Sequence, residues 1–310
     1  MTLLITGTIA LDTIETPFGR KEDILGGSSV YAGVSASFFT DVSISGIIGK
    51  DFPKDHLDFL KSRNIDLSGL VVDDGETFRW NGFYEYDMNQ AHTKDTKLNV
   101  LLKFDPKLSD KHKESDFVFL ANLDPAIQLK VIDQLKNPRF IAADTMDFWI
   151  SNKREELYEV IKRVDFLLIN EGEIRMFMET PNIPLAAKRL LALGVSGVIV
   201  KKGEHGALLF TQSDHFSAPS YPQEVFRDPT GAGDSFAGGF MGYLSRTGDV
   251  SLSSIKKAMV IGSTMASFNI EDFSLERMRK LVAREIFDRF SEFRRFSEFE
   301  ALSFATISED

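Results

Sequence analysis

The chain has 310 residues, of which 43% are hydrophobic and 26% are charged, the balance of a globular protein with a full apolar core. Its net charge of -10 argues against broad binding to nucleic acid or to anionic membranes, and no apolar stretch is long enough to span a bilayer. The absence of cysteine excludes disulfides, thiolate nucleophiles and cysteine metal sites, and it fits a cytoplasmic location.

Short apolar runs alternate with helical patterns along most of the sequence. This alternation predicts an α/β fold with a mainly parallel central sheet and helices on both faces. The sequence has no repeat and no low-complexity linker, so we predict one domain over residues 1–310. The predicted strands cover 3–6, 42–48, 117–120, 140–143, 166–169 and 197–201, and the predicted helices cover 28–39, 53–63, 125–136, 152–163, 184–193, 233–246, 251–268 and 274–285.

Two segments, at about 11–25 and 75–95, break this alternation. The first carries Pro17 and Gly19 at a predicted hairpin turn. Within the second, residues 77–88 alternate clearly, and one face collects aromatic and apolar side chains, namely Phe78, Trp80, Tyr84, Tyr86 and Met88. Such segments predict either an antiparallel edge of the main sheet or a small β lid. The aromatic face of a lid would cover a substrate or the second subunit of a homodimer.

The glycine-rich run at 228–240 (DPTGAGDSFAGGF) carries the strongest chemical signal. Pro229 ends the preceding element, and a helix begins near Gly233. The N–H groups at such a helix start point outward without partners, and the helix dipole adds positive potential, so the site suits a phosphate. Asp234 lies in the first turn, where it could accept a proton from an attacking hydroxyl or simply stabilise the helix dipole.

Three glycines inside this predicted helix, Gly238, Gly239 and Gly242, argue against the simpler interpretation of the run. Each glycine in a helix interior costs about 1 kcal/mol relative to alanine. We therefore expect other parts of the molecule to approach this helix closely.

The 228–240 run resembles the signature of the PfkB, or ribokinase-like, family of carbohydrate and nucleoside kinases. Further matches occur in the family's chain order and together cover about residues 1–285. Taken singly, each could be an ordinary turn or helix cap. They are Gly7 with Asp12, the diglycine Gly26-Gly27, the N-x-x-E element Asn170 to Glu173, and the loop Lys202-Gly203 to Gly206.

The resemblance implies a three-layer ribokinase-like α/β fold whose β lid is built from the two irregular segments. It implies a kinase that uses ATP and Mg²⁺, with Asp234 as the base beside Gly231, Ala232 and Gly233. The other implied sites are acceptor contacts at Asp12, Gly26, Gly27, Tyr31 and Trp80, ATP contacts at Lys202, Gly203, Gly206 and Thr230, and magnesium placement by Asn170 and Glu173.

Two departures from the family pattern bear on the substrate. Tyr31 replaces the Asn of many sugar kinases and could stack on a base or simply pack. The pair Lys201-Lys202 replaces the usual Thr-Leu and could bind ATP phosphates or be solvated. The aromatic side chains of Tyr31 and the 77–88 segment favour a nucleoside over a plain sugar as acceptor, while the intact 231–234 loop argues against a non-catalytic regulator.

The C-terminal segment 286–310 is rich in phenylalanine. Its rings recur every third residue, at Phe287, Phe290, Phe293, Phe296 and Phe299. On an α-helix a three-residue period drifts around the axis. We expect a last helix that packs on the domain, with a partner-binding helix as the alternative.

Overall fold

The computed structural model describes residues 1–298 and residue 300. Its strands are β1 (Thr2–Thr6), β2 (Ala10–Thr16), β3 (Gly19–Gly26), β4 (Asp41–Gly49), β5 (Asp66–Asp73), β6 (Phe78–Tyr84), β7 (Ala91–Lys97), β8 (Phe117–Leu120), β9 (Phe140–Ala143), β10 (Phe166–Asn170), β11 (Gly197–Lys201), β12 (Ala207–Thr211) and β13 (His215–Ala218). Its helices are α1 (Ser28–Ala36), α2 (Lys54–Ser62), α3 (Asp110–Lys113), α4 (Pro125–Ile132), α5 (Asp147–Asn152), α6 (Arg154–Ile161), α7 (Glu171–Met178), α8 (Ile183–Leu191), α9 (Ala232–Thr247), α10 (Leu252–Asn269), α11 (Glu276–Lys280) and α12 (Ala283–Ser297).

A nine-stranded sheet forms the centre of the molecule, in the order β13-β12-β11-β10-β9-β8-β1-β4-β5. The strands from β11 to β5 along this order are parallel, and β12 and β13 form an antiparallel hairpin at one edge. The predicted mainly parallel α/β sheet is therefore confirmed. The strands β5, β12 and β13 were not predicted. The edge strands β5 and β13 lack a continuous apolar run of four residues, whereas the run ALLF of β12 is as long as that of β8 and was missed.

Side chains of the central strands enter two apolar clusters on opposite faces of the sheet. In β1, Leu3 and Ile5 belong to one cluster and Leu4 to the other. Helices α1, α9 and α10 cover the first face, and α4, α6, α7 and α8 cover the second. The result is the three-layer arrangement that the sequence predicts. None of the helices in residues 1–298 combines the length and hydropathy that a bilayer crossing requires.

The two irregular segments form a separate four-stranded sheet, in the order β3-β2-β6-β7, which we call the lid sheet. Strands β2 and β3 form the predicted hairpin around Pro17, and β2 pairs in parallel with β6. These segments therefore form the separate small sheet that was predicted as a lid, and not an antiparallel edge of the main sheet. The predicted alternation ran too far, because β6 ends at Tyr84 and Tyr86 is 91% exposed beyond it.

The glycines of α9 lie where neighbouring helices approach most closely, as predicted. A Cβ atom on Gly238 would lie 2.8 Å from the carbonyl carbon of Ala32 in α1 and would overlap its oxygen. A Cβ on Gly239 would lie 2.8 Å from Cγ of Met265 in α10. These contacts bring α1 and α10 against the first turns of α9, and so fix the position of the Asp234 loop.

We expect Gly238→Ala to lower the free energy of unfolding by about 2 kcal/mol, because overpacking typically costs about 1–3 kcal/mol. Alanine's better helix propensity, about 1 kcal/mol, offsets part of the clash. Gly172→Ala in α7 is the matched control, since its Cβ would lie 3.4 Å from Asn170 Oδ1, an ordinary contact. Urea denaturation of both variants tests this. Equal stability of the two variants would contradict the close packing of α1 on α9.

In the C-terminal segment, the predicted bounds of one helix are wrong, and the predicted drift of the phenylalanine stripe is confirmed. The predicted helix 274–285 is two helices, α11 and α12, separated by extended backbone at Leu281 and Val282. In α12 the phenylalanine stripe drifts as expected: Phe293 is buried, whereas Phe287 is 61% exposed. Helix α12 packs on the face that α10 covers. Phe299 and residues 301–310 lie outside the described residues.

Candidate active site

Three adjacent parallel strands end in polar side chains at the same edge of the central sheet. Asp144 follows β9 directly, Asn170 ends β10 and Lys201 ends β11, where it is the register partner of Asn170. Carboxyl ends of parallel strands are the usual ligand-binding edge of such sheets. Asn170 was assigned from its resemblance to the family's N-x-x-E element, whereas Asp144 was missed and Lys201 was left open, although each of the three lies at the carboxyl end of a predicted strand.

The start of helix α9 faces this edge. Its N-cap, Gly231, has a left-handed backbone (φ 73°), which glycine adopts without strain. The Ala232 N–H donates to the carbonyl of Pro229 at 3.1 Å. Within residues 1–298, the N–H groups of Gly233 and Asp234 donate to no acceptor. The anion site therefore has two open amides, because the Ala232 N–H already has a partner.

Buried hydrogen bonds hold the loop that precedes α9. Asn269, at the end of α10, donates to the Thr230 carbonyl at 2.8 Å and accepts from the Ser235 hydroxyl at 3.1 Å. The carboxylate of Asp228 accepts the N–H groups of Thr230 and Ser274, at 2.9 and 3.0 Å. Burial raises the pKa of Asp228. Because these partners fix the loop before any ligand arrives, its open amides are preorganised for an anion.

Asp234 projects from the first turn of α9 into the buried edge. Burial, together with the nearby charge of Asp144, raises the pKa of Asp234 to about 7, while the positive charge of Lys201 opposes the rise. A helix-start acid that merely balanced a dipole would be exposed and keep an ordinary pKa. A half-buried carboxyl group whose pKa is raised to about 7 is instead suited to accept a proton.

Lys201 links Asp234 to the sheet edge. Its ammonium group pairs with the buried carboxylate of Asp144. A Cβ atom on Gly233 would lie 3.2 Å from Lys201 Nζ, so the ammonium group lies against the backbone of the anion site. Burial opposes its positive charge, but the charges of Asp144 and Glu173 prevail and raise the pKa of Lys201.

Asp12 reaches the site from the lid sheet. Burial and the charges of Asp228 and Asp234 raise its pKa well above the ordinary range, which places these three carboxyl groups in one neighbourhood. Gly26 is required here, since a Cβ atom on it would overlap the Asp12 carboxylate. Trp80 is the register partner of Asp12 in β6, so the two side chains share one face of the lid sheet.

The lid sheet also contacts the signature loop. The Thr230 hydroxyl donates to the Tyr84 hydroxyl at 3.2 Å, a contact that the sequence analysis did not foresee. Tyr31 is only 1% exposed, and its ring fills the space that a side chain on Gly231 would need. Of the two roles left open for Tyr31, the structure favours packing beneath the loop over stacking on a base.

The predicted ATP loop follows β11 as a tight turn. The N–H of Lys202 donates to the carbonyl of Gly206 at 2.8 Å. Gly203 and Gly206 both have positive φ, as such a turn requires. Asn89, in the loop after β6, donates to the Glu204 carboxylate at 3.3 Å, so the lid sheet meets this turn as well. The turn and the loop that joins β6 to β7 of the lid sheet are therefore in contact.

Asn170 and Glu173 form a capping box at the start of α7. The Glu173 N–H donates to Asn170 Oδ1, and the Asn170 N–H donates to Glu173 Oε2, each at 2.8 Å. Burial raises the pKa of Glu173 to about 8; Lys201 opposes this rise and Asp144 adds to it. No cluster of three or more His, Asp or Glu side chains able to hold a metal ion occurs in the described part of the chain.

Comparison with known proteins agrees with this geometry. A family model described as "pfkB family carbohydrate kinase" matches residues 25–278. A cytidine kinase of Thermococcus kodakarensis is 30% identical over 254 residues, which cover 79% of this chain and 88% of that protein. A nucleoside kinase of Methanocaldococcus jannaschii is 25% identical over 268 residues, covering 84% of this chain and 82% of that one.

The fold comparison points the same way. The crystal structure of the Methanocaldococcus jannaschii nucleoside kinase superposes with a TM-score of 0.75, covers 94% of this chain and 98% of its own, and shares 22% identity. That likeness concerns the fold, whereas the family match covers most of the sequence, including the 228–240 run. The chain therefore belongs to the PfkB family of carbohydrate kinases and is an ATP-dependent kinase.

Proposed function

We propose that this kinase transfers the γ-phosphoryl group of ATP to the hydroxymethyl group of a nucleoside, and that Asp234 is its catalytic base. The observation that carries the proposal is the Asp234 carboxyl group, half-buried in the first turn of α9 beside two open amides and Lys201. The similarity to a cytidine kinase, over most of both chains, supports the choice of a nucleoside.

The acceptor would lie between the lid sheet and the start of α9. Asp12 enters from the lid and Asp234 from the helix, and the effect of Asp234 on the pKa of Asp12 indicates that the two are close. A hydroxyl held by Asp12 can thus present a neighbouring hydroxymethyl group to Asp234. Trp80, on the same face as Asp12, supplies an aromatic surface beside this opening.

In the proposed reaction, the acceptor oxygen forms a bond to the γ-phosphorus as the bond from that phosphorus to the bridging oxygen of ADP breaks. The hydroxyl proton passes to the Asp234 carboxylate. The amides of Gly233 and Asp234 donate hydrogen bonds to the charge on the transferring group, a role in which each donor is typically worth about 10²–10³-fold in rate. Because the loop is already braced by Asn269, no reorganisation opposes this stabilisation.

Mg²⁺ belongs to the proposal as the ion that accompanies ATP. Glu173 fits a supporting role, because it uses only Oε2 within the capping box and a buried carboxyl group with a pKa of about 8 gains from a nearby cation. Asn170 would contribute by positioning, since its single side-chain oxygen accepts the Glu173 N–H and holds the capping box in place. The absence of a three-residue metal cluster in residues 1–298 fits an ion bound mainly by phosphates and water. The ion would neutralise phosphate charge.

Lys202, Gly203, Gly206 and Thr230 complete the proposal as ATP contacts, and Gly27 as part of the acceptor loop. We also retain pairing of two copies through the lid sheet, where Phe83 and His92 stack with ring centroids 4.9 Å apart. Light scattering of the purified protein tests this part, and a monomeric mass would remove it without affecting the kinase assignment.

A panel assay of ADP release from Mg-ATP tests the acceptor class. We expect cytidine or another nucleoside to raise the rate well above that of ATP alone, and ribose and fructose to do so weakly. Omission of Mg²⁺ should abolish the stimulated rate. Stimulation by a plain sugar alone would replace the nucleoside with the carbohydrate alternative and leave the chemistry unchanged.

A further inference from the structure

We infer that Lys201 is a catalytic residue of this kinase, whose ammonium group contacts the transferring phosphoryl group, and that Asp144 is the positioning residue that holds it there. The inference rests on the kinase reaction at Asp234 and does not depend on which acceptor is used. Threonine, the usual residue of the family at this position, carries no charge, so this role of an ammonium group would be limited to chains with a lysine here.

The geometry places Lys201 at the anion site rather than in solvent. Only 17% of its side chain is exposed, and its Nζ lies 3.2 Å from the position of a Cβ on Gly233. Since the Gly233 N–H is one of the two open donors, a phosphoryl group bound there meets the ammonium group as well. Lys202, the next residue, belongs instead to the turn closed by Gly206.

The charged groups around Lys201 indicate the role of its ammonium group. Three carboxyl groups, Asp144, Glu173 and Asp234, act on Lys201 from three different elements. ATP brings several negative charges to the same edge, and repulsion in a buried site is stronger than in water. A fixed ammonium group beside the open amides counters this repulsion where charge collects during transfer.

A purely structural role explains the pair less well. Both charges are largely buried, since the Asp144 side chain is 4% exposed, and burying such a pair costs free energy of desolvation. Replacement of buried ion pairs by neutral residues is often neutral or stabilising. A pair that adds little to stability but orients an ammonium group towards the anion site is better explained by chemistry.

Three variants separate the two roles. Lys201→Met should lower kcat on the order of 10- to 100-fold, the range that one charged hydrogen bond provides. The double variant Asp144→Asn/Lys201→Met leaves no unpaired buried charge, so it should fold well yet be as slow as Lys201→Met. Lys256→Met is the matched control and should keep wild-type turnover. Lys256 pairs with Asp214 at 3.0 Å near the β12–β13 turn, which lies away from the carboxyl ends of the parallel strands.

Calorimetric binding gives a readout that needs no acceptor. In Mg²⁺ buffer, Lys201→Met should weaken binding of the non-hydrolysable analogue AMP-PNP by about 10-fold or more and that of ADP much less, because only the analogue has a γ-phosphoryl group. Equal loss for both nucleotides, or recovery of wild-type kcat in the double variant, would overturn the inference. If no acceptor in the panel is phosphorylated, the proposed acceptor class fails while the AMP-PNP comparison still decides the role of Lys201.

Discussion

Asp234→Asn should lower kcat by at least about 10³-fold, since general base catalysis typically contributes about 10²–10⁴-fold. The amide side chain keeps the shape of the carboxyl group but cannot accept the hydroxyl proton. The open N–H groups of Gly233 and Asp234 are backbone groups and remain in place. We therefore expect ADP affinity, measured by calorimetry, to stay near the wild-type value. A variant with more than a tenth of wild-type turnover would exclude Asp234 as the base.

The stability of the same variant serves as its control. Burial raises the pKa of Asp234 in the folded protein to about 7, well above that of an unfolded chain. Protonation therefore favours the folded state, and this contribution is lost as pH rises through 7. At pH 8 the wild type must bury a charged carboxylate, which Asp234→Asn removes. Urea denaturation at pH 8 should give an unfolding free energy equal to or above the wild type, so lost activity would not reflect unfolding.

The pH dependence of the wild-type enzyme follows from the same carboxyl group. Below about pH 7 the free enzyme holds Asp234 in its protonated form, which cannot accept the acceptor proton. The acceptor kcat/KM should consequently fall with decreasing pH along an acidic limb near pH 7. Initial rates at subsaturating acceptor, from pH 5.5 to 8.5, measure this limb. A profile that stays flat down to pH 5.5 would contradict the buried environment of Asp234.

The sequence predicted the features that local rules determine. Continuous apolar runs identified most of the strands that are buried on both faces, and alternation identified β6 of the lid sheet. Gly238 and Gly239 signalled close helix contacts before those partners were known. The edge strand β13 was not predicted, because a strand buried on one side carries a weaker apolar pattern. Strand β12 was missed although its side chains reach both clusters and its run ALLF is apolar.

The site was harder to predict wherever a role depends on a distant residue. Asp144 and Lys201 are 57 positions apart, and their pairing appears only once β9, β10 and β11 lie side by side. Tyr31 resembled a substrate contact because aromatic rings suit a base, but the helix α1 that carries it packs beneath Gly231. Asn269, which braces the signature loop, lies 39 residues beyond its partner Thr230 in an otherwise ordinary helix end.

A substitution at Gly26, which contacts Asp12, should also reduce activity strongly. A methyl group at Gly26 would overlap the Asp12 carboxylate, which must move to make room. Displacement of a catalytic or binding group by 1 Å can cost about 10²-fold, so Gly26→Ala should reduce the acceptor kcat/KM by about 10²- to 10³-fold. ATP contacts are untouched, and ADP affinity should hold. Gly194→Ala, on an open loop with nothing within 4 Å of its Cβ, controls for a glycine replacement that displaces no side chain; its positive φ, which Gly26 lacks, makes it the more strained of the two backbones.

The double variant Asp12→Ala/Gly26→Ala distinguishes displacement of Asp12 from general damage to the lid sheet. Asp12→Ala removes the carboxylate, so the methyl group at position 26 no longer has the oxygen atoms that it would displace. If Gly26 matters through Asp12, the double variant should have the acceptor kcat/KM of Asp12→Ala alone, and residues in contact should show such non-additivity. Fully additive losses would mean that Gly26 serves the lid backbone independently, and Asp12 would then lose its best structural support as the residue that orients the acceptor.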